Sequence, residues 1–245
     1  MAEGTDRFFI PNISRHGRCD APRDEAHHIL HVLRMSIGDE LIAFDGTGVE
    51  CRCRIAAASA HRVTLEVLER CDVSREPSVA VTLAIAAAKN KAMDLIVQKC
   101  TELGLARLIP FHSGRSVARI DDLAKIEKWR RVTIEAAKQC GRNVLPHLDA
   151  PHDLDALLAA ACEHDLAIVA AVAENTVPLK HVLHEHPHAR KIMYVIGPEG
   201  GFDPGELARI TAAGITAVSL GPSILRVETA AIAALAMIVY HYAEC

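Results

Sequence analysis

Apolar and polar positions follow two different rhythms along the chain. In the first part, short stretches alternate apolar with polar residues or carry β-branched side chains, which predicts strands. The predicted strands cover residues 7–10, 40–44, 49–57 and 62–68. A short helix is predicted over residues 23–33, where one face carries Ala26, Ile29, Leu30 and Leu33. Several strands with one short helix predict a compact β-barrel.

From residue 79 onward, apolar strands alternate with amphipathic helices. The predicted strands cover residues 79–87, 105–111, 166–171, 191–196 and 217–220, and the predicted helices cover 91–103, 121–140, 154–161, 204–213 and 226–241. This alternation predicts an α/β fold with a parallel sheet covered on both faces. The polar, proline-ended segment 71–77 is the predicted linker. We therefore predict two domains, residues 1–72 and residues 73–245.

Composition narrows the class of protein. Half of the residues are hydrophobic and only 4% are aromatic, so the core is expected to be aliphatic. No apolar run reaches the roughly 18–20 residues that span a membrane, and the N-terminus lacks the apolar segment of a signal peptide. We expect a cytoplasmic protein.

Cysteine and histidine, the usual metal ligands, give weak signals. The eight cysteines show no paired zinc-binding spacing, so reduced, structural thiols are expected. His184, His186 and His188 could hold a metal, but a solvated loop is the favoured interpretation. We expect no metal site.

Charge is distributed unevenly, although the net charge is only −4. Residues 89–142 hold 12 Lys/Arg against 6 Asp/Glu, whereas residues 1–72 hold 9 against 12 and residues 143–245 hold 5 against 12. A basic centre between acidic ends is typical of a protein that docks a polyanion. Local charge runs on the helices of a balanced protein would give the same pattern.

Two glycine-rich loops carry the candidate chemistry. IGPEGGF (196–202) follows a predicted strand and precedes a helix that Asp203 caps and Pro204 begins. LGPSILRVETA (220–230) also follows a strand and opens a helix, with Arg226 and Glu228 at its start. Neither G-x-G-x-x-G nor the P-loop G-K-[ST] occurs. A tight turn would explain either loop alone, but both together predict a ligand site at the carboxyl ends of strands.

The two loops close a longer series of motifs. GPEGG and LGPSILRVETAA come after RFFI, HHILHVLRMSIGDEL, FDGTG, KNKAMDLIVQKCTELG, GRSV and KQCGRN, which occur in that order along nearly the whole chain. The chain thereby resembles the bacterial 16S ribosomal RNA uracil-N3 methyltransferases, the RsmE family of the SPOUT class. Each motif alone is modest, whereas the ordered series is highly specific.

The resemblance implies features that spacing alone does not indicate. The N-terminal domain would be a PUA-like RNA-binding β-barrel, and the catalytic domain would carry a C-terminal trefoil knot, a rare topology. The enzyme would work as a homodimer with the last helix in the interface. S-adenosyl-L-methionine would lie among three loops. The residues expected to bind it are Ala171, Val172, Ile196, Gly197, Pro198, Glu199, Gly200, Gly201, Leu220, Gly221, Ile224, Leu225 and Arg226.

Methylation of uracil at N3 sets the expected roles of the catalytic residues. The base must leave its pairing partner, because N3 lies on the Watson–Crick edge. Negative charge that develops on the uracil carbonyls favours a nearby cation, for which Arg226 is the candidate. Glu228 or Glu199 is the candidate acceptor of the N3 proton, although water could serve.

The substrate implied by the resemblance is small-subunit ribosomal RNA or the assembled 30S subunit. Five basic residues in the motif segments are candidate RNA contacts, which predicts salt-sensitive binding. They are Arg7, Arg34, Lys91, Arg115 and Arg142.

Two positions depart from the family pattern. Ser223 stands where the family usually has an arginine, and Lys138 stands where it usually has a glutamate. The first departure removes one contact to RNA or to a carboxylate, and the second changes the charge near the expected RNA surface. Neither touches the glycine framework.

Three other functions compete with this interpretation. A related knotted methyltransferase could act on another RNA, such as transfer RNA. A non-catalytic RNA-binding module could have kept the fold, and would then lack affinity for S-adenosylmethionine. A nucleotide-dependent enzyme could use the glycine loop for phosphate, but no lysine follows the glycines.

Overall fold

The computed structural model describes residues 6–13, 17–86, 90–115, 123–173 and 175–243, which form two compact units. The first unit combines the residues up to Glu76 with Ile134–Leu145. The second combines Pro77–Thr133 with the residues from Pro146 onward. Membership of residues 134–145 in the first unit has no signal in the hydrophobic pattern. The boundary between residues 72 and 73 stays a prediction.

The first unit contains a five-stranded sheet. Its strands are β1 (Arg7–Phe9), β2 (Arg18–Asp20), β3 (Glu40–Phe44), β4 (Glu50–Ser59) and β5 (Arg62–Cys71), in the order β1-β3-β4-β5-β2. β1 and β3 pair in parallel and the other neighbours are antiparallel. Along β4 the alternation is clear: Cys51, Cys53 and Ile55 are buried, whereas Arg52 and Arg54 are exposed. Alternation of this kind gives the sheet one apolar face.

The helical segment of this unit differs in winding from the sequence prediction. The helix α1 (Arg23–His27) continues as a π-helical turn over His28–Val32 rather than as a regular α-helix. Ala26 and Ile29 are buried as predicted, but Leu33 is 38% exposed. A π turn holds more residues than an α turn, which carries Leu33 past the apolar face.

Glu50 forms a buried ionic centre within the first unit. Its carboxylate is almost fully buried and accepts hydrogen bonds from Arg7 Nη2 at 2.9 Å and Arg75 Nη1 at 3.1 Å. The same two guanidinium groups donate to the main-chain oxygens of Arg142, at 3.1 Å, and Gly141, at 2.9 Å. One carboxylate therefore anchors both β1 and the distant segment 134–145.

The segment after Gly141 is fixed by further buried polar contacts. Arg142 is 3% exposed and its Nε donates to Glu76 Oε1 at 2.9 Å. The side-chain amide of Asn143 donates to the carbonyl oxygen of Val73 at 2.8 Å and to that of Gly48 at 3.3 Å. The KQCGRN motif thus has a structural role in the first unit.

The second unit contains a seven-stranded sheet in which every recorded pairing is parallel, as predicted. Its order is β10-β12-β9-β11-β6-β7-β8. The strands are β6 (Ala80–Ala86), β7 (Arg107–Phe111), β8 (His147–Leu148), β9 (Leu166–Ala170), β10 (Val177–Pro178), β11 (Lys191–Ile196) and β12 (Thr216–Ser219). The sequence pattern misses β8 and β10 because two residues show no periodicity.

Helices accompany the sheet on both faces. They are α2 (Asn90–Glu102), α3 (Leu123–Cys140), α4 (Leu154–Ala161), α5 (Leu179–Glu185), α6 (Pro204–Ala212) and α7 (Val227–Tyr242). Val81, Leu83 and Ile85 of β6 belong to one hydrophobic cluster, and Ala84 and Ala86 belong to another. Because alternate residues of one strand enter different clusters, both faces of the sheet are covered.

The last helix, α7, is apolar on nearly all sides but is only partly buried. Its buried positions include Ala231 and Leu235, whereas Met237 is 43% exposed and Tyr240 is 85% exposed. The fully buried Tyr194 of β11 donates its hydroxyl to the Ala231 carbonyl at 3.0 Å. Among the residues that the structure describes, no helix is both long and apolar enough to cross a membrane.

The Glu50 centre gives a testable expectation for stability. Substitution Glu50→Ala leaves two arginines without their shared carboxylate, and removal of one partner from a buried ion pair costs about 3 kcal/mol of unfolding free energy. Urea denaturation measures this loss. The control Glu66→Ala removes an exposed partner of Arg18 at 3.9 Å, for which we expect a loss within about 1 kcal/mol. Equal losses in the two variants would contradict the structural role of Glu50.

Candidate functional site

Three neighbouring strands place the candidate site at one edge of the parallel sheet. β9 lies between β11 and β12, with Ile196 and Val218 both in register with Ala170. The amide of Ala171 donates to the carbonyl oxygen of Val218 at 3.2 Å. The loops that begin at residues 171, 197 and 220 therefore start side by side. Carboxyl ends of parallel strands are a common place for ligands.

The loop after β11 is a tight turn held by an aromatic ring. Gly201 has a φ of +70°, and its amide donates to the carbonyl oxygen of Pro198 at 2.9 Å. The ring of Phe202 lies against Gly197, where an added Cβ would be 2.7 Å from Cε2. Phe202 also stacks on Phe111 with ring centroids 6.3 Å apart. Gly197 is therefore required by the close approach of the ring.

Glu206, which sequence reasoning did not single out, supports this loop from α6. It completes a capping box with Asp203, whose amide donates to Glu206 Oε2 at 3.1 Å. The same carboxylate accepts from Ser113 Oγ at 2.9 Å and from the Gly114 amide at 2.8 Å. The capping part is readable from the D-x-x-E spacing. The link to the loop after β7 is long-range and has no sequence signal.

Arg115 also contacts the loop after β11 and the helix cap that follows it. Its Nη1 donates to the carbonyl oxygen of Gly200 at 3.3 Å, and its Nη2 lies 3.8 Å from Asp203 Oδ2. Its side chain is half exposed. The predicted RNA contact Arg115 therefore contacts the glycine loop itself, and any RNA contact would use the remaining exposed surface.

The loop after β12 leads directly to the start of α7. Gly221 has a φ of +135°, a conformation that residues with a side chain rarely adopt. Arg226 is the N-cap of α7, and its carbonyl accepts from the Ala230 amide at 2.8 Å, but its side chain makes no capping hydrogen bond. Among the described residues, Arg226 has no ion-pair partner and is exposed. Glu228 is half buried in the first turn.

Exposed apolar side chains lie on two of the three loops. Val172 is 79% exposed and Ile224 is 80% exposed, and Gly200, Gly201 and Gly221 have no neighbour within 4 Å of an added Cβ. Apolar side chains beside open backbone are the lining that an organic ligand with polar edges needs. The three loops therefore present exposed apolar side chains and open backbone at the same ends of neighbouring strands.

The other predicted RNA contacts fall into two groups. Arg34 and Lys91 are exposed, whereas Arg7 pairs with the buried Glu50 and the buried Arg142 pairs with Glu76. A nearly fully buried, paired Arg142 has little surface to offer a phosphate. Its RNA contact, and that of Arg7, stay predictions that this geometry does not favour. Residues 89, 116 and 117 of the KNK and GRSV motifs lie outside the described residues.

The two departures from the family pattern have different surroundings. Ser223 is exposed in the loop before α7. Lys138 is not a free surface charge: its side chain is only 10% exposed, and its Nζ donates to Glu25 at 3.2 Å and to Glu135 at 3.2 Å. Burial raises the pKa of the Glu25 carboxyl, and the neighbouring Lys138 opposes that rise. The lysine therefore compensates a buried carboxylate.

The cysteines and histidines lack the features of a reactive site. Burial raises the pKa of the Cys53 thiol to about 12 and that of Cys100 to about 12, so both stay protonated. The predicted solvated loop is wrong for His184, which lies in α5 and packs its ring on His241 at 5.0 Å. His186 ends that helix, and its Nδ1 lies 2.8 Å from the Val182 carbonyl oxygen. Within the described ranges, no group of three or more His, Cys, Asp or Glu residues could hold a metal ion.

A substitution that adds one methyl group at Gly197 tests its contact with Phe202. Substitution Gly197→Ala must displace a ring that is already stacked on Phe111, and overpacking of this kind costs about 1–3 kcal/mol. Gly200→Ala is the matched control, because its Cβ meets open space. Urea denaturation should separate the two variants. Equal unfolding free energies would show that Phe202 moves aside freely.

Comparison with known proteins shows to which family the chain belongs. Residues 75–239 match the model of the RNA methyltransferase domain, and residues 21–68 match that of the RNA methyltransferase PUA domain. The ribosomal RNA small subunit methyltransferase E of Bacillus subtilis is 34% identical over 224 residues, which cover 89% of this chain and 88% of that protein. The protein of the same name from Mycobacterium bovis is 34% identical over 219 residues, with 86% and 82% covered.

A solved structure agrees over the whole length. The ribosomal RNA small subunit methyltransferase E of Neisseria gonorrhoeae, bound to S-adenosyl methionine, is 28% identical, with a TM-score of 0.88 over 98% of each chain. The site loops at 197–201 and 220–226 both lie inside the matched methyltransferase domain. The chain belongs to the family of ribosomal RNA small subunit methyltransferase E proteins.

Proposed function

We propose that this chain transfers the methyl group of S-adenosylmethionine to N3 of a uridine in 16S ribosomal RNA. The observation that carries the proposal is the meeting of two glycine-rich loops beside β9, inside the domain that matches RNA methyltransferases. The substrate is small-subunit ribosomal RNA, either free or assembled into the 30S subunit, in the cytoplasm.

The three loops form a binding site that suits the cofactor. Open backbone at Gly200 and Gly201 suits the polar edges of an adenosine and of an amino acid, and Val172 and Ile224 suit its apolar surfaces. The N. gonorrhoeae relative has S-adenosyl methionine bound. The residues predicted to bind the cofactor at this site are 171–172, 196–201, 220–221 and 224–226.

The cofactor supplies an electrophilic methyl group on a sulfonium. As N3 of the uracil forms its bond to that carbon, the carbon–sulfur bond breaks and sulfur keeps the electron pair. The N3 proton leaves to a base, for which Glu228 and the exposed Glu199 are candidates beside water. The exposed guanidinium of Arg226 stabilises negative charge on the uracil carbonyl oxygens.

The chain path supports the knot and the barrel that the family resemblance implies. β12 lies on the side of β9 away from β11, yet the helix that follows it, α7, packs on β6 and β11. The chain must therefore cross the ends of β9 and β11 after leaving β12, as threading through a knot requires. In the first unit, the pairing of β4 with β5 has register shifts at Arg52/Cys53 and Ile55/Ala57. Irregularities of this kind bend a strand, which suits closure into a barrel.

Arg226 gives the first test of the mechanism. Because its guanidinium acts on charge that develops during the reaction, Arg226→Ala should lower kcat about 100-fold, far more than it weakens the affinity for S-adenosylmethionine. Radiometric methylation of 16S ribosomal RNA and calorimetry measure the two quantities. Arg209→Ala, which removes a half-exposed arginine of α6 paired with Asp155, should leave kcat unchanged. Full turnover of the Arg226 variant would remove this residue from the mechanism.

The outer face of α7 gives a test of the proposed homodimer. Met237 and Tyr240 present apolar surface that a second copy of the chain would bury. Tyr240→Asp should therefore shift the protein from dimer to monomer in sedimentation velocity at micromolar concentration. Val177→Asp, at a half-exposed valine of the edge strand β10, is the matched control. A wild-type monomer, or a dimeric Tyr240 variant, would contradict this interface.

A further inference from the structure

Ion pairs neutralise most cationic side chains of the first unit. The cationic side chains that form an ion pair with a carboxylate are Arg7, Arg18, Arg52, Arg54, Arg62, Arg75, Lys138 and Arg142. Among the described residues of this unit, only Arg23, Arg34 and Arg70 have no carboxylate partner. A polyanion that binds this acidic part of the chain has few unpaired charges to contact.

Two of these three arginines bracket the helical segment. Arg23 begins α1, and Arg34 follows the π turn that continues it. Between them, His27 and His31 continue the four-residue spacing that starts at Arg23, and spacing of this kind keeps side chains on one helical face. The rings of His27 and His31 lie 4.8 Å apart with a tilt of 44°. The segment therefore exposes a row of donors and flat rings.

A cavity extends this row across to the turn between β4 and β5. Its volume is about 280 Å³, and its lining comprises Arg23, Asp24, His27, Ala60 and His61. His31 Nε2 lies 3.4 Å from the Ala60 carbonyl oxygen, so the imidazole at the far end of the row also contacts this turn. Arg23, His27 and His61 therefore line one concave surface together with Asp24, and His31 contacts the turn at its end. We name these four basic residues and the neighbouring Arg34 the histidine face: Arg23, His27, His31, Arg34 and His61.

Arg34 adds an independent observation. Its φ of +57° makes it the one non-glycine residue with a left-handed backbone in the described chain. Hydrogen bonds from the Leu33 amide to His28 and from the Met35 amide to Ile29, both at 3.0 Å, hold the turn. Glycine would adopt this conformation without strain. A strained, exposed arginine in its place indicates that the side chain serves binding.

We propose that the histidine face binds a single-stranded segment of the substrate RNA. Arg23 and Arg34 contact phosphates, and the imidazole rings of His27 and His31 stack on bases. Exposed Val32 and Ile37, 60% and 63% accessible, offer apolar surface beside Arg34. Carboxylates on the rest of this unit repel phosphates, which disfavours binding of the RNA at other positions on its surface. The inference rests on the proposed function and adds the residues with which the N-terminal domain recognises its RNA.

The experiment compares RNA binding with cofactor binding in the full-length protein. Fluorescence polarisation with a labelled single-stranded fragment of 16S ribosomal RNA gives the affinity as a function of salt. For the triple variant Arg23→Ala, His27→Ala, His31→Ala we expect about tenfold weaker binding or more, from the loss of stacking. The slope of log K against log salt should become shallower by about one. Affinity for S-adenosylmethionine should stay unchanged, and the KM for RNA should rise with kcat retained.

The control variant Arg52→Ala, Arg54→Ala removes two arginines that β4 exposes in ion pairs. It removes more positive charge than the triple variant, so a larger loss of RNA affinity there would show that net charge alone matters and would overturn the proposal. His27→Phe with His31→Phe keeps two flat rings and should retain most of the affinity. Unchanged urea midpoints separate lost contacts from lost folding.

Three results would separate failure of the histidine face, failure of the proposed function and binding of a different partner. If the wild-type protein methylates ribosomal RNA but the triple variant keeps its affinity and KM, the face is wrong and the function stands. If the wild-type protein binds neither S-adenosylmethionine nor RNA, the function itself fails. If the triple variant loses affinity for 30S subunits but not for the naked fragment, the face binds ribosomal protein instead, which overturns the RNA assignment.

Discussion

Backbone pairing of β9 with both β11 and β12 is the constraint on which the site depends. The pairing fixes the ends of three strands through main-chain hydrogen bonds, which any sequence of suitable apolar residues can make. The loops are then free to carry glycine, exposed apolar residues and Arg226 without destabilising the sheet. The site is therefore a property of the topology, and its chemistry is a property of the loops.

Side chains that flank or face the first glycine loop give it further support. Phe202 closes on Gly197, and the Glu206 carboxylate joins its own helix cap to the loop after β7. Arg115 adds a hydrogen bond to the Gly200 carbonyl. The two contacts on the loop, together with the helix cap at its end, leave its backbone little freedom, which lowers the entropic cost of ordering it around a ligand.

Local patterns predicted the elements, and long-range contacts limited the prediction of the site. The helix α6 follows from its Asp203 cap and the proline at its first position, and β11 follows from its apolar run, because these signals lie within a few residues. Three strands of two or three residues were missed, since they are too short for a period. Glu206 was missed for a different reason: its partners on the loop after β7 are distant in sequence.

Charged residues show most clearly that long-range partners cannot be predicted from local sequence. Arg7 and Arg142 look like surface cations in the sequence, yet carboxylates more than 40 positions away pair with both. Lys138 looks like a change in surface charge, yet it compensates the buried Glu25. A residue type gives the sign of a charge, but only the fold shows whether a partner has already neutralised it. Counting unpaired charges is therefore a better guide to an RNA surface than the net charge of a domain.

The helix α7 connects the chemistry with the proposed assembly. Its first turn carries Arg226 and Glu228, and its last turns expose Met237 and Tyr240. A continuous helix transmits displacement along its axis, and the buried hydrogen bond from Tyr194 to Ala231 fixes this helix to the strand that precedes the first glycine loop. The main chain at Arg226, the N-cap of this helix, is thereby linked to the strand before the first glycine loop. Its guanidinium is exposed and has no ion-pair partner among the described residues, so it stays available to a ligand.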